Sequence, residues 1–338
     1  MKTTPMLHNL ALITETKPKL RYAGGDFAAW QKETRARLAS LLGMENILKN
    51  KPEGDTFTLA YENKEATYTE YRFTLSSEVG YTFPCVLRIP HDAPRPMPLM
   101  ICLQGHSTGM HISLGKPVYP GDEEMIAGGD RDFAVRAVKE GFAALCIEQR
   151  NFGECGAKRN GETNCHVSTM TALLLGRTTI GERVADVSCA IDAALTHFDC
   201  FDKEKLILMG NSGGGTATVY AACLDERIAY AMPSCAVCTY RHSIAAMDHC
   251  VCNFIPGIAN ELDMGDLAGL IAPRRLLIVN GKDGPIFPDE GVRESYEIAK
   301  ALYAVAGVPD RVALVTGDGG HRFYADDAYP VLHKMLKG

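Results

Sequence analysis

The hydrophobic and polar positions change their spacing along the chain, from a helical pattern to a strand pattern. Residues 1–52 carry apolar side chains at about helical spacing, among them Phe27, Trp30 and Leu38, and predict a helical N-terminal extension. Residues 56–61, 66–75 and 81–89 are rich in Thr, Tyr, Phe and Val and predict successive strands, which are expected to be antiparallel. The chain is therefore predicted to begin with helices, followed by the antiparallel edge of a sheet.

From residue 97 onwards, compact apolar runs alternate with amphipathic segments. Strands are predicted at residues 98–103, 142–147, 205–209, 228–232, 275–279 and 312–315. Helices are predicted at residues 132–140, 179–198, 212–224, 290–306 and 326–336. This alternation is typical of a mostly parallel central sheet with helices on both faces, so residues 53–338 are predicted to form one α/β domain. Right-handed crossovers place the carboxyl ends of such strands along one edge, where ligands bind.

A G-x-S-x-G sequence lies between a predicted buried strand and a predicted helix. Gly210 and Gly214 relieve the crowding of a sharp strand-to-helix turn, and this turn would raise the Ser212 hydroxyl above the edge of the sheet. The N–H of Gly213 would face the same space at the start of the helix, where negative charge is favoured. We therefore predict that Ser212 is a nucleophile and that Gly213 contributes one N–H to an oxyanion hole.

An acid and a base follow the nucleophile in the order that this turn requires. Asp283 comes directly after the strand predicted at 275–279, and His321 follows the strand predicted at 312–315. Since a serine hydroxyl is a poor nucleophile at neutral pH, His321 would take its proton and Asp283 would orient the imidazole. Asp318 and Glu290 remain alternative acids, although an Asp–Gly pair such as Asp318–Gly319 is more typical of a turn.

Two further loops follow strands that end at the same edge. The loop Gln104-Gly105-His106 is predicted to supply the second oxyanion donor through the N–H of His106, with the N–H of Gly105 as the alternative. Gln104 and Gly105 are also expected to line the pocket. Glu148 and Arg150 follow the strand predicted at 142–147, and we interpret them as pocket-lining or loop-ordering residues, with a structural ion network favoured over substrate contact.

The twelve cysteines are interpreted mainly as small buried apolar residues. Cys235-x-x-Cys238 and Cys250-x-Cys252 together resemble a zinc-binding pattern, but the one-residue spacing of the second pair is unusual for such a site. We predict free thiols packed under a loop, with no metal and no cofactor. His249 and Cys250 are expected to form part of the pocket wall, and whether this loop binds a metal stays open.

Composition and charge exclude several classes of function. The 338 residues carry a net charge of −6, so the composition shows no excess of positive charge that would favour binding to nucleic acid or to an anionic membrane. The N-terminus shows no signal peptide and no apolar run is long enough to span a bilayer, so a cytoplasmic, reducing location is expected. The expected partner is a small-molecule ester, and a homo-oligomer is compatible with the sequence.

Several segments taken together resemble the acetyl xylan esterase-like and dienelactone hydrolase-like branch of the α/β hydrolases. They are residues 104–106 (QGH), 148–153 (EQRNFG), 210–214 (GNSGG), 281–288 (GKDGPIFP), 320–321 (GH) and 249–256 (HCVCNFIP). The resemblance, which covers roughly residue 80 to the C-terminus, implies an α/β-hydrolase fold and the triad Ser212, Asp283 and His321. It also implies ester substrates, often acetyl groups on carbohydrates. Esterases that act on polymeric xylan are usually exported, so a small acetylated sugar fits this chain better.

The leading interpretation is a cytosolic serine carboxylic-ester hydrolase that forms an acyl-enzyme at Ser212 without a cofactor. A peptidase of the same fold is an alternative, although such chains usually carry a large accessory domain. A hydrolase-fold binding protein that has lost catalysis is another. The acyl group and the alcohol depend on the loops at 106–130, 154–178 and 235–260, whose conformation the sequence does not give. Residues 157–163 of the second loop lie outside the residues that the structure describes.

Overall fold

Nine strands of the described chain form one sheet. The structure is a computed structural model, and it describes residues 3–156 and 164–337. The strands are β1 (Thr58–Lys64), β2 (Tyr68–Glu78), β3 (Tyr81–Pro90), β4 (Met97–Leu103), β5 (Ala143–Ile147), β6 (Phe201–Asn211), β7 (Tyr230–Ser234), β8 (Arg275–Gly281) and β9 (Val312–Gly317). Their order across the sheet is β1-β2-β3-β5-β4-β6-β7-β8-β9.

The direction of the strands divides the sheet into two parts. β1, β2 and β3 pair antiparallel with one another, and β3 also pairs antiparallel with β5. From β5 to β9 every neighbouring pair is parallel. The predicted antiparallel N-terminal edge and the predicted parallel sheet are therefore both confirmed, and the turn between β2 and β3 contains Gly80 at a φ of 82°.

Helices cover both faces of this sheet. They are α1 (Pro5–Glu15), α2 (Phe27–Leu42), α3 (Met44–Leu48), α4 (Asp122–Gly129), α5 (Phe133–Lys139), α6 (His166–Leu174), α7 (Thr179–His197), α8 (Gly213–Leu224), α9 (Ile258–Glu261), α10 (Met264–Ile271), α11 (Asp289–Val305) and α12 (Ala325–Lys337). None of the helices in the described ranges combines the length and the apolar character of a membrane span.

The two faces of the sheet bury separate hydrophobic cores, because side chains alternate along each strand. On β4, Leu99, Ile101 and Leu103 belong to the larger core, which also contains residues of α7, α8 and α10. Met100 and Cys102 point to the smaller core, which contains residues of α5 and α12. Burial on both faces explains why β4 is an uninterrupted apolar run.

The N-terminal helix α2 packs against the larger core. Leu38 and Leu42 are fully buried in it, and the Gln31 side chain donates to the Gly269 carbonyl at 2.6 Å. A Cβ placed on Gly269 would lie 2.6 Å from the Trp30 ring, so α2 and α10 approach closely. A domain boundary between residues 52 and 53 stays a prediction, but the apolar face of α2 shares its core with the sheet domain.

The parallel register brings the ends of four strands together. Leu103 at the end of β4 is paired with Gly210 on β6. Gly281 at the end of β8 is paired with Gly317 at the end of β9. The segments that follow these strands contain all the residues of the predicted triad and oxyanion hole, so the topology places them at one edge.

Candidate active site

Ser212 lies at the turn between β6 and α8, in a backbone conformation that few residues other than glycine adopt. Its φ is 56° and its ψ is −121°. A Cβ on Gly210 would lie 2.4 Å from the Gly214 backbone, and a Cβ on Gly214 would lie 2.2 Å from the Leu103 carbonyl oxygen. Only glycine fits these two positions without a shift of the backbone. The strained strand-to-helix turn predicted from the G-x-S-x-G spacing is therefore present.

The loop after β4 passes directly beside this turn. A Cβ on Gly105 would lie 3.0 Å from the Ser212 Cβ and 2.9 Å from the Asn211 carbonyl oxygen. Among the residues that the structure describes, the N–H groups of Gly213 and His106 donate to no acceptor. An oxyanion hole requires two N–H donors near the nucleophile, and these two groups remain available for that role.

Ser212 and His321 line the same cavity, which has a volume of about 280 Å³. Its wall is formed by Gly105, His106, Arg131, Asn211, Ser212, Met247, Asp248, His249, Cys250, Ile286 and His321. The Phe287 ring stacks on the His321 ring with centroids 5.8 Å apart. A larger cavity of about 560 Å³ lies between α2, α7 and α8, but neither Ser212 nor His321 lines it. The smaller cavity is therefore the candidate active site.

The imidazole of His321 is held in its neutral form. Burial is the main cause that lowers its pKa to about 4, and the positive charge of Arg131 and the nearby His249 and His106 rings contribute to the same shift. Its Nδ1 atom is buried and, within the described residues, has no hydrogen-bond partner. No hydrogen bond joins the Ser212 hydroxyl to this ring in the described part of the chain. The ring can accept a proton, and no carboxylate of the described residues is hydrogen-bonded to its buried nitrogen.

The predicted acid, Asp283, lies beside the His321 loop with an exposed side chain. Its backbone N–H donates to the Gly319 carbonyl at 2.8 Å, so the two loops are fastened together two residues before His321. The alternative acid Asp318 pairs with Lys282 at 2.8 Å and is exposed. Glu290, the other alternative, lies 3.8 Å from His242. The structure places Asp283 next to the His321 loop but does not join its carboxylate to the ring.

Asp248 is a residue of the cavity wall that the sequence analysis missed. It lies on the segment between β7 and β8, with an exposed side chain, and lines the cavity together with Ser212 and His321. Its place in the chain also satisfies the order serine, acid, histidine. That order is the signal that could have identified it, since the loop after β7 reaches the same edge of the sheet.

Three residues expected at the pocket wall lie elsewhere, since neither Gln104, Glu148 nor Arg150 lines the cavity. β5 is separated from β6 by β4, so its end is one strand further from Ser212. Glu148 is buried and accepts hydrogen bonds from the Gln104 side chain at 2.7 Å and from the Met110 N–H at 3.1 Å. Burial raises its pKa to about 8. Glu148 therefore holds Gln104, the residue that leads into the His106 loop.

Arg150 is part of a buried ion network. Its guanidinium contacts Asp186 at 2.9 Å and Glu78 at 2.7 Å. Glu78 in turn binds Arg177. This arrangement agrees with the structural ion network that the sequence favoured over contact with substrate.

The cysteines predicted to share a loop separate in space. His249 and Cys250 line the cavity. Cys235 donates to the Arg322 carbonyl at 3.2 Å and Cys238 to the Pro288 carbonyl at 3.7 Å, and both thiols are buried. All twelve cysteines are free thiols. The four-cysteine pattern read along the sequence therefore does not form one cluster.

Comparison with known proteins identifies related chains. A protein-family model described as "Abhydrolase family" matches residues 3–327. The Bacillus subtilis (strain 168) protein named "Putative hydrolase YtaP" is 26% identical over 296 residues, which cover 86% of this chain and 93% of that protein.

Two solved structures share the architecture along almost the whole chain. One is described as a putative acetyl xylan esterase (BF1801) from Bacteroides fragilis NCTC 9343, with a TM-score of 0.81, 16% identity and coverage of 100% of this chain and 96% of that chain. The other is the glucuronoyl esterase from Solibacter usitatus, with a TM-score of 0.68, 15% identity and coverage of 96% and 98%. At such identities the likeness shows the fold alone, and it confirms the predicted fold class.

Proposed function

This chain belongs to the Abhydrolase family, and from that membership we propose that it is a serine carboxylic-ester hydrolase that acts on small, short-acyl esters such as acetylated sugars. The observation that carries the proposal is the cavity that Ser212 and His321 share, beside the free N–H groups of Gly213 and His106. The names of the similar structures, an acetyl xylan esterase and a glucuronoyl esterase, are in keeping with an ester substrate.

The proposed reaction has two steps, each with a role for the same side chains. In the first, His321 takes the Ser212 proton while the hydroxyl oxygen attacks the ester carbonyl, and the protonated ring then gives that proton to the departing alcohol. The N–H groups of Gly213 and His106 stabilise the negative oxygen of the tetrahedral intermediate. In the second step, His321 takes a proton from a water molecule that attacks the acyl-enzyme, and the ring returns this proton to the Ser212 oxygen as the bond to the acyl group breaks and the acid is released. Asp283 would stabilise the imidazolium once its carboxylate turns toward Nδ1.

The size of the cavity supports a small substrate. Pockets for drug-sized ligands usually have volumes of about 300–1,000 Å³. A cavity of about 280 Å³ leaves room for a short acyl group and one small alcohol. A long acyl chain or a polymer would have to extend beyond the walls formed by Met247 and Ile286.

Acyl-chain selectivity tests this proposal. For p-nitrophenyl esters, kcat/KM is expected to be highest with acetate and to fall by at least about tenfold by octanoate, because each methylene group that does not fit weakens binding of the transition state. Acetylated monosaccharides should be hydrolysed faster than acetylated xylan under the same conditions. Equal or greater activity on octanoate, or on the polymer, would reject the proposed substrate class.

The pH dependence tests the role of His321. The ring must be neutral to accept a proton, and its pKa of about 4 arises first from burial and then from Arg131, His249 and His106. The kcat/KM of the free enzyme is therefore expected to persist well below pH 6.5 and to be lost as the pH falls through about 4.

The matched variants for this experiment change one arginine each. Arg131→Gln removes a positive charge near the ring, so the acid limb of the kcat/KM profile should move to higher pH. Arg95→Gln should leave the profile unchanged, because Arg95 is exposed and does not line the cavity. If the acid limb of the kcat/KM profile does not move in the Arg131→Gln variant, a group other than Arg131 controls the pH at which activity is lost.

A further inference from the structure

We propose that His106, Cys165, Cys250 and Cys252 form a binding site for one thiophilic divalent metal ion, best matched by zinc. The His106 ring and the three thiols place four ligand atoms within 4.8 Å of one another. The residues come from three separate parts of the chain: the loop after β4, the residue before α6 and the segment between β7 and β8. The group keeps Cys250 and Cys252 of the sequence pattern, whereas Cys235 and Cys238 lie outside it.

The spacing of the ligand atoms matches tetrahedral zinc. The His106 Nε2 atom lies 3.3 Å from the Cys252 Sγ atom and 3.9 Å from the Cys165 Sγ atom. The Cys250 and Cys252 Sγ atoms are 3.3 Å apart. Zn–S bonds of about 2.3 Å at tetrahedral angles place the sulfur atoms about 3.8 Å apart, so small movements would complete the coordination. Three cysteines and one histidine form a closed site, which is typical of structural zinc.

The buried charge of Arg183 provides an independent argument. This side chain is 1% exposed, and its guanidinium makes no ion pair with a carboxylate in the described part of the chain. Its nearest acceptors are the Arg150 carbonyl at 2.9 Å and the Cys252 and Cys165 sulfur atoms at 3.7 and 4.0 Å. A buried cation requires a partner of opposite charge. A divalent ion with three thiolates and a neutral imidazole has one net negative charge, which would supply that partner.

A metal at this site would also position the loop Gln104-Gly105-His106, which contains the second predicted oxyanion donor. This consequence rests on the proposed function, whereas metal binding itself does not. A Cβ on Gly213 would lie 2.8 Å from the His106 ring, so this ring packs against the turn that contains the nucleophile. Binding of the ring Nε2 atom to a metal would fix the loop whose backbone N–H is the second predicted oxyanion donor. His106 would then act as a positioning residue through its side chain.

Metal analysis of the full-length, untagged protein tests the site. Protein produced in zinc-supplemented medium and purified without chelator is expected to contain about one zinc ion per chain. Cys252→Ala and Cys165→Ala should weaken zinc binding by more than the ~10–100-fold that loss of an outer-shell partner costs. Cys238→Ala removes a buried thiol outside the cluster and should retain the metal. Ser212→Ala should also retain it, so that a failed esterase proposal leaves this one intact.

A second experiment measures cobalt binding to the wild-type protein, so its result does not depend on the folding of a variant. Wild-type protein stripped with a chelator and titrated with Co²⁺ should develop thiolate-to-metal charge-transfer absorption that saturates at one equivalent. The chelator should also lower the Tm of the wild type and of Cys238→Ala, since binding of a metal to the folded state stabilises it. Only trace zinc with no cobalt–thiolate band would overturn the proposal. So would a disulfide between two of the three cysteines in the native, unreduced protein.

Discussion

Ser212→Ala is expected to lower kcat/KM for p-nitrophenyl acetate by at least about 10³-fold, because removal of a triad member typically has an effect of this size or larger. The variant removes only the hydroxyl oxygen of a residue at the cavity wall, so the turn between β6 and α8 should persist. The residual rate would come from the oxyanion donors and from substrate binding alone.

Ser188→Ala is the matched control for the nucleophile. Ser188 lies on α7, donates to Asp225 at 3.0 Å and does not line the catalytic cavity. Its loss removes this hydrogen bond and the one that the hydroxyl accepts from Arg227 at 2.9 Å, a change of about 2 kcal/mol in the free energy of unfolding, and the rate should stay near that of the wild type. Similar rates for Ser212→Ala and the wild type would remove the basis of the proposed mechanism.

Asp283→Asn is expected to lower kcat by about 10²–10⁴-fold, because an amide cannot stabilise the imidazolium as a carboxylate does. The prediction rests on the paired ends of β8 and β9 and on the hydrogen bond from the Asp283 N–H to the Gly319 carbonyl. These contacts hold the Asp283 loop beside the His321 loop. In the proposed mechanism, the exposed carboxylate turns toward the buried Nδ1 atom of His321.

Asp248→Asn is the matched comparison, because Asp248 is also exposed, lies at the same cavity and takes the same isosteric change. If Asp283 is the acid, Asp248→Asn should change kcat by less than about tenfold. Thermal unfolding of both variants would verify that each one folds. The reverse result, a large loss of kcat for Asp248→Asn and no loss for Asp283→Asn, would identify Asp248 as the acid.

The fold could be predicted because its signals are local. The uninterrupted apolar run of β4 and the four- and three-residue steps of apolar positions along α7 follow directly from burial on both faces of a sheet and on one face of a helix. The helix α10 was missed because its eight residues are all buried and show no polar face that would reveal a helical period. α6 was missed in a Gly- and Asn-containing segment that precedes a stronger helix pattern.

The candidate site could be predicted only in part, because only some of its signals are local in the sequence. Ser212 is identified by the steric demands of one turn, which require glycine at Gly210 and Gly214, each two positions from it, although the distant Leu103 carbonyl also crowds Gly214. Asp248 and the partners of Cys250 depend on contacts between distant segments. The Cys165 thiol approaches His106 across 59 positions of the chain, and no periodic pattern records such a pairing.

The ion network of Arg150 shows how topology decides a role that residue type leaves open. A charged residue after a parallel strand can contact a substrate or order a loop. Because β4 lies between β5 and β6, Arg150 is directed toward Asp186 and Glu78 rather than toward Ser212. The order of strands in the sheet, which the sequence does not state, determines this outcome.

Covalent labelling with a fluorophosphonate probe tests the central claim most directly, because it requires an activated serine and no knowledge of the substrate. Peptide mapping of the labelled wild-type protein is expected to place the adduct on Ser212, and Ser212→Ala should remain unlabelled. Labelling of a residue other than Ser212, or no labelling of the folded wild-type protein, would contradict the account.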